Sequence, residues 1–117
     1  DAANRLSAAE LVQVLRYMET RFDLFPDFLA SLPSPGAEGT MKKRFKKGDM
    51  QGMVRAKTGT LSEPVAVASL AGYFRHEKHG LVAFAIIENG VLGRAQPGIG
   101  DLRARQDKAL EALWDTL

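Results

Sequence analysis

The chain has 117 residues, of which 45% are hydrophobic and 26% are charged, and its formal net charge is +2. These proportions are those of an ordinary folded domain and exclude wholesale disorder. The sequence contains no cysteine, which excludes disulfides, thiolate zinc sites and a cysteine nucleophile. Its longest apolar run, residues 81–87, is too short to cross a bilayer, so no transmembrane segment is predicted in this chain.

Two helices are predicted at the start of the chain. Ser7 and Glu10 have the spacing of a capping box, and apolar residues then recur at helical spacing, which predicts a helix over about residues 8–21. A second helix is predicted from Pro26, which a first turn tolerates, to just before Pro33. The residues predicted to be buried by this pair are Leu11, Val12, Val14, Leu15, Met18, Phe22, Phe25, Phe28, Leu29 and Leu32.

Three strands are predicted after an irregular loop at residues 31–40, which is rich in proline and glycine. They cover residues 53–60, 67–75 and 81–88, and their close succession favours an antiparallel meander. Residues 81–87 are apolar on both alternating faces, which predicts helices on both faces of the sheet. The second strand is kept small by Ala68, Ser69, Ala71 and Gly72, which predicts that a helix can approach its backbone closely.

A terminal helix is predicted after the glycine-rich connection that ends at Gly100. Asp101 is expected to cap it. Its predicted apolar stripe consists of Leu102, Ala109, Leu110, Leu113, Trp114 and Leu117. The predicted fold class is therefore α+β, an α/β sandwich in which an antiparallel sheet of three strands has helices on both faces. Three strands are few for an independent sheet, so we expect the chain to be a fragment of a larger unit.

The tripeptide Lys57-Thr58-Gly59 lies on the first predicted strand and combines a cation, a hydroxyl and a residue without a side chain. Side chains alternate along a strand, so Lys57 and Gly59 share one face. A substrate carboxylate can lie against Lys57 and the Thr58 hydroxyl, and the backbone N–H of Thr60 can bind a developing oxyanion. An extended peptide can pair with the strand edge. The residues alone are equally compatible with a solvated strand end and a glycine bulge.

Longer segments around this tripeptide match a known family. Residues 55–61 read Arg-Ala-Lys-Thr-Gly-Thr-Leu, and residues 69–73 read Ser-Leu-Ala-Gly-Tyr. In this order and spacing they resemble the low-molecular-mass penicillin-binding proteins of the D-Ala-D-Ala carboxypeptidase and endopeptidase class. Shorter matches at residues 4–12, 31–33, 39–45 and 84–90 extend the resemblance over nearly the whole chain.

The resemblance implies a partial transpeptidase fold of the penicillin-binding protein and serine β-lactamase type. It implies a periplasmic or cell-envelope serine hydrolase that cleaves D-Ala-D-Ala in peptidoglycan stem peptides through an acyl-enzyme, and that β-lactams acylate. Carried onto this sequence, Lys57 and Thr58 would bind the terminal carboxylate, Gly59 would provide clearance, and Thr60 would supply one oxyanion N–H. No cofactor and no metal are implied. Carboxypeptidase and endopeptidase activity both remain compatible with the sequence.

The nucleophile of that family is missing from this chain. None of the serines, at positions 7, 31, 34, 62 and 69, has a lysine three positions later, and no Ser-x-Asn occurs. We therefore predict that residues 1–117 are the C-terminal portion of a carboxypeptidase domain whose N-terminal part is absent, and that the isolated chain is inactive. The alternative is a non-catalytic module that binds wall peptide or a protein partner through the Lys57 strand edge.

Two further features have simpler interpretations. The basic residues at 42–47 favour a solvated turn, and nucleic-acid binding is the weakest hypothesis because no nucleic-acid motif accompanies them. His76 and His79 flank a short turn at a spacing that suits a metal. No third ligand is evident beside them, so a solvated turn is the favoured interpretation there too.

Overall fold

The computed structural model describes residues 7–33, 52–61, 65–90 and 93–117. Its elements are α1 (Ala8–Glu19), α2 (Phe25–Ser31), β1 (Val54–Leu61), β2 (Val67–His76), β3 (Gly80–Asn89) and α3 (Ile99–Thr116). The predicted α+β class is confirmed, and each predicted helix and strand in the described residues is present. The predicted loop beyond residue 33 and the basic cluster at 42–47 lie outside the described residues.

The three strands form one antiparallel sheet in the order β1-β2-β3. Lys57 of β1 lies opposite Ala71 of β2, which in turn lies opposite Ala85 of β3. Cross-strand partners share a face of the sheet because side chains alternate along each strand. The register therefore decides which residues of β2 and β3 lie beside the tripeptide.

Each face of the sheet is covered by helix. One face packs against α3 through a core of Val54, Ala56, Leu70, Phe74, Phe84 and Leu110. On the opposite face, Tyr73 forms a second core with Leu15 of α1 and with Leu32, which follows α2. The expectation of helices on both faces is confirmed.

The start of α1 is set by the predicted capping box. The Ser7 hydroxyl accepts a hydrogen bond from the Glu10 N–H at 3.1 Å, and the Glu10 carboxylate accepts one from the Ser7 N–H at 3.2 Å. These contacts satisfy backbone donors that the first turn of a helix leaves open.

The cap predicted for the terminal helix is wrong. α3 begins at Ile99, with Gly98 in an extended conformation at the N-cap and no side-chain hydrogen bond there. Asp101 instead lies within the first turn. Its negative charge is still favourable at that place because the N-terminus of a helix carries a partial positive charge.

The predicted stripe of α3 is wrong at two positions and lacks one. Leu102, Gln106 and Leu110 are the buried residues of this helix, whereas Ala109 and Leu113 are exposed. The buried residues are four positions apart, so they lie on one side of the helix. Gln106 is polar and interrupts the apolar pattern, which is why the sequence did not reveal this side.

Three other burial predictions are wrong. Phe22 is 93% exposed because it lies in the turn between α1 and α2, outside the packed side of either helix, and Val14 is 54% exposed on the outer side of α1. His76 was expected to be solvated but is buried at 6% exposure. It lies beneath the C-terminal turn of α3, where its ring is 5.1 Å from that of Trp114.

The small size of Gly72 serves the pairing of β2 with β1, whereas the close approach of a helix predicted for this strand occurs at Ala68, which packs with Leu102 of α3. A Cβ added at Gly72 would overlap the Arg55 carbonyl oxygen and would lie 2.6 Å from the Ala56 Cα. β1 therefore lies so close to β2 at this point that only glycine fits there. This close approach occurs one residue before Lys57.

Candidate functional site

The four residues singled out in the sequence are consecutive in β1. Lys57, Gly59 and Thr60 are exposed, and Thr58 is half-buried. Val54 and Ala56, at alternate positions of β1, belong to the core beneath α3. Side chains alternate along a strand, so Thr58 lies on that same face, and Lys57 and Gly59 lie on the face that α1 and α2 cover. The structure thus places the ammonium group and the small residue on one face of β1 and the Thr58 hydroxyl on the other face of the same strand.

The backbone groups of β1 point alternately toward β2 and toward the outer edge of the sheet. The Arg75 N–H donates to the Met53 carbonyl at 2.9 Å, which makes these two residues a hydrogen-bonded pair. Bonded and non-bonded pairs alternate along an antiparallel ladder. The N–H and C=O groups of Thr58 and Thr60 therefore point to the outer edge of β1, where the described residues place no further strand.

The chain that follows α2 lies at this outer edge, next to the tripeptide. The Ala56 N–H donates to the Pro33 carbonyl at 3.0 Å. Beside it, the Arg55 guanidinium donates to the Leu32 carbonyl at 3.0 Å. The start of β1 is therefore bound to the end of α2 through the two residues that immediately precede Lys57.

Gly59 is closely packed against the neighbouring strand. A Cβ at this position would lie 2.8 Å from the Ser69 hydroxyl oxygen. The same hydroxyl donates a long hydrogen bond of 3.4 Å to the Gly59 carbonyl. Ser69 thus lies beside the tripeptide, although sequence reasoning gave it no role; only the strand register could have revealed it.

A cross-strand pair fixes the helical layer beside Lys57. Arg55 lies opposite Tyr73. The Tyr73 hydroxyl donates to the Leu15 carbonyl at 2.5 Å, and its ring makes edge contacts with Phe25 and Phe28. Arg55 therefore holds the end of α2 while Tyr73 holds α1.

The two histidines contact the C-terminal end of α3 through their ring nitrogens. The Lys78 N–H donates to His76 Nδ1 at 3.1 Å, which leaves Nε2 as the ring nitrogen that donates to the Trp114 carbonyl at 3.2 Å. His79 Nε2 contacts the Leu117 carbonyl at 3.1 Å. In the part of the chain that the structure describes, no group of three or more His, Cys, Asp or Glu residues is placed to hold a metal ion.

The sequence matches the model of one known protein family. The model of the D-Ala-D-Ala carboxypeptidase 3 (S13) family matches residues 2–110, a range that includes all four residues of the site. The chain belongs to this family. Membership of the S13 family supports D-Ala-D-Ala carboxypeptidase activity in general, peptidoglycan peptides as substrates and a place in the cell envelope.

No curated protein matches this S13 family member. Within residues 7–33, 52–61, 65–90 and 93–117, none of the helices has the length and apolar character needed to cross a membrane.

Proposed function

We propose that residues 1–117 are the C-terminal portion of a serine-type D-Ala-D-Ala carboxypeptidase or endopeptidase, and that β1 forms the carboxylate-binding wall of its cleft. The observation that carries this proposal is the exposed Lys57 on β1, which is an edge strand among the described residues and whose Thr60 backbone groups point to that edge. Family membership supplies the substrate class, peptidoglycan stem peptides that end in D-Ala-D-Ala.

The binding step follows from the chemistry of β1. The terminal carboxylate of the peptide lies at the outer edge of β1, where the Lys57 ammonium pairs with it from one face of the sheet and the Thr58 hydroxyl donates a second hydrogen bond to it from the other. Such charge-assisted contacts are about twice as strong as neutral ones. Gly59 adds no side chain between the ligand and the strand, so the peptide backbone can approach the edge.

The reaction step requires a serine outside this chain. That serine attacks the carbonyl carbon of the penultimate D-Ala, the oxyanion accepts a hydrogen bond from the Thr60 N–H, and the terminal D-Ala leaves with a proton. Water then hydrolyses the acyl-enzyme. A β-lactam acylates the same serine. The nucleophile belongs to the N-terminal part of the protein in the periplasm or cell envelope, and the isolated chain is inactive.

Fluorescent penicillin tests this proposal. The chain and the longest natural product of its gene are labelled side by side, and the acylated serine is located by peptide mass. We expect labelling of the long form alone, at a serine with a lysine three positions later. Labelling of the 117-residue chain itself would contradict its inactivity.

A binding module is the second candidate. The outer edge of β1 at Thr60 favours it, because no strand of the described part of the chain pairs there and an extended peptide can add as a further strand. This candidate predicts that neither form is labelled by penicillin, while a wall peptide still shifts the amide resonance of Thr60. Penicillin labelling of the long form would exclude it.

A further inference from the structure

We infer that the segment Leu32–Pro33 closes the outer edge of β1 immediately before Lys57, and so restricts the site to peptides that end there. The inference rests on the proposed function, because it assigns β1 to binding the substrate. It adds a determinant of specificity: the segment favours removal of a C-terminal residue over cleavage within a longer linear peptide.

The edge is closed at Ala56. Its N–H points outward and donates to the Pro33 carbonyl at 3.0 Å. A peptide that added to β1 would lie about 4.8 Å away and would need this same N–H and this same space. Pro33 has no N–H, so it cannot itself donate a ladder hydrogen bond at this edge.

The closing segment is held on both sides. The Leu32 side chain is 7% exposed and packs with Leu15 and Tyr73. Its carbonyl accepts the Arg55 guanidinium at 3.0 Å. The segment is therefore part of the packed core, and a ligand cannot displace it without breaking those contacts.

The direction of the bound peptide follows from the position of the cation. In antiparallel addition the C-terminus of the peptide lies at the Ala56 end of β1, and its preceding residues run along Thr58 toward Thr60. Parallel addition would place the carboxylate at the end remote from Lys57. The antiparallel peptide therefore ends beside Lys57, and any residue beyond its carboxylate would overlap Pro33.

Hydrolysis by the longest natural product of the gene tests the inference with three peptides. The first ends in D-Ala-D-Ala, the second is its C-terminal amide, and the third carries one glycine after the same bond. We expect the glycine to lower kcat/KM for that bond by at least about 100-fold, because the added residue meets a fixed obstacle. The amide lacks only the negative charge, so its kcat/KM should be about 10-fold lower than that of the free peptide.

Variants of Arg55 test the part played by the segment. Arg55→Ala removes the donor to the Leu32 carbonyl. It should lower the ratio of kcat/KM for the D-Ala-D-Ala peptide to kcat/KM for the glycine-extended peptide by roughly 10-fold, while kcat/KM for the D-Ala-D-Ala peptide stays within about 3-fold of its original value. Arg55→Lys restores a donor and should keep most of the discrimination. Arg21→Ala, which removes an exposed ion pair with Asp23, is the matched control and should leave the ratio unchanged.

The outcomes separate the two proposals. Equal kcat/KM for the free and extended peptides, with a slower amide, would overturn the edge closure and leave the proposed function standing. If the ratio of kcat/KM for the free peptide to that for the extended peptide were the same in Arg55→Ala and in the unaltered protein, the role of Leu32–Pro33 would be overturned. If the long form hydrolysed none of the peptides, the proposed function would fall and the inference with it.

Discussion

The Tyr73 hydroxyl donates a hydrogen bond of 2.5 Å to the Leu15 carbonyl, a residue 58 positions earlier in the chain. This contact joins β2 to α1 on the face of the sheet that carries Lys57. Burial, and to a lesser extent the negative charge of Glu19, raises the pKa of Tyr73 to about 12. The folded protein therefore keeps this phenol in its neutral, donating form.

The free energy of unfolding should fall as the pH rises from about 10 to about 12. The pKa of an ordinary tyrosine is 10.0, so the unfolded state loses the proton first and binds fewer protons in this window. Tyr73→Phe should abolish this part of the fall and should cost about 1 kcal/mol at neutral pH. Tyr17→Phe, at an exposed position, is the control. Urea unfolding across the pH series measures the unfolding free energy of both variants. If that free energy fell as much between about pH 10 and about pH 12 in Tyr73→Phe as in the original protein, the fall would not be due to Tyr73.

Gly72→Ala should lower the free energy of unfolding by at least about 3 kcal/mol, because the added methyl overlaps the backbone of β1 and cannot be relieved by a side-chain rotation. Gly100→Ala is the matched control. It lies in the first turn of α3 with nothing within 4 Å of the added Cβ, and it should stabilise the protein by up to about 1 kcal/mol. Thermal unfolding of the two variants checks this, and equal stabilities would contradict the close strand approach.

The elements that could be predicted are those with local signals. Ser7 and Glu10 are three residues apart, so the start of α1 is visible in the sequence. Gln106 and Phe22 were misjudged because their burial depends on where the helix and the turn lie in the folded chain. A polar residue inside a stripe, or a phenylalanine in a turn, carries no local mark of this.

The candidate site divides in the same way. Lys57, Thr58 and Gly59 are adjacent in the sequence, and the alternation of a strand is enough to assign them to faces. The contact of Pro33 with Ala56 and that of Ser69 with Gly59 depend on the strand register and on the path of the chain after α2. Neither could be read from spacing alone.

Lys57→Ala should lower kcat/KM of the long form for a D-Ala-D-Ala peptide by about 10- to 100-fold, because a hydrogen bond to a charged group contributes about 1.5–3 kcal/mol. Lys57→Arg keeps the charge and should lose less. Lys108→Ala, at an exposed position of α3, is the control. Steady-state kinetics with all three variants tests the carboxylate assignment, which would fail if Lys57→Ala hydrolysed the peptide at the original rate.

His76→Ala should lower the free energy of unfolding by about 2 kcal/mol. The substitution removes a buried ring that bonds Trp114 through one nitrogen and Lys78 through the other. His79→Ala removes an exposed contact and should cost no more than about 0.5 kcal/mol. Urea unfolding of the two variants at neutral pH makes the comparison. Similar losses of unfolding free energy in both would argue against a stabilising contact between His76 and α3.

Gly59→Ala should lower the free energy of unfolding by about 1–2 kcal/mol, because its Cβ would lie 2.8 Å from the Ser69 hydroxyl. Ser69→Ala removes only a long hydrogen bond and should cost less than about 0.5 kcal/mol. In the double variant the overlap is gone, so the two changes should be coupled by about 1 kcal/mol. Peptide hydrolysis by the long form distinguishes an effect of Gly59 on stability from an effect on the space available to the ligand. Recovered stability with persistent loss of kcat/KM would show that the methyl group blocks the ligand, whereas recovery of both would restrict Gly59 to strand packing.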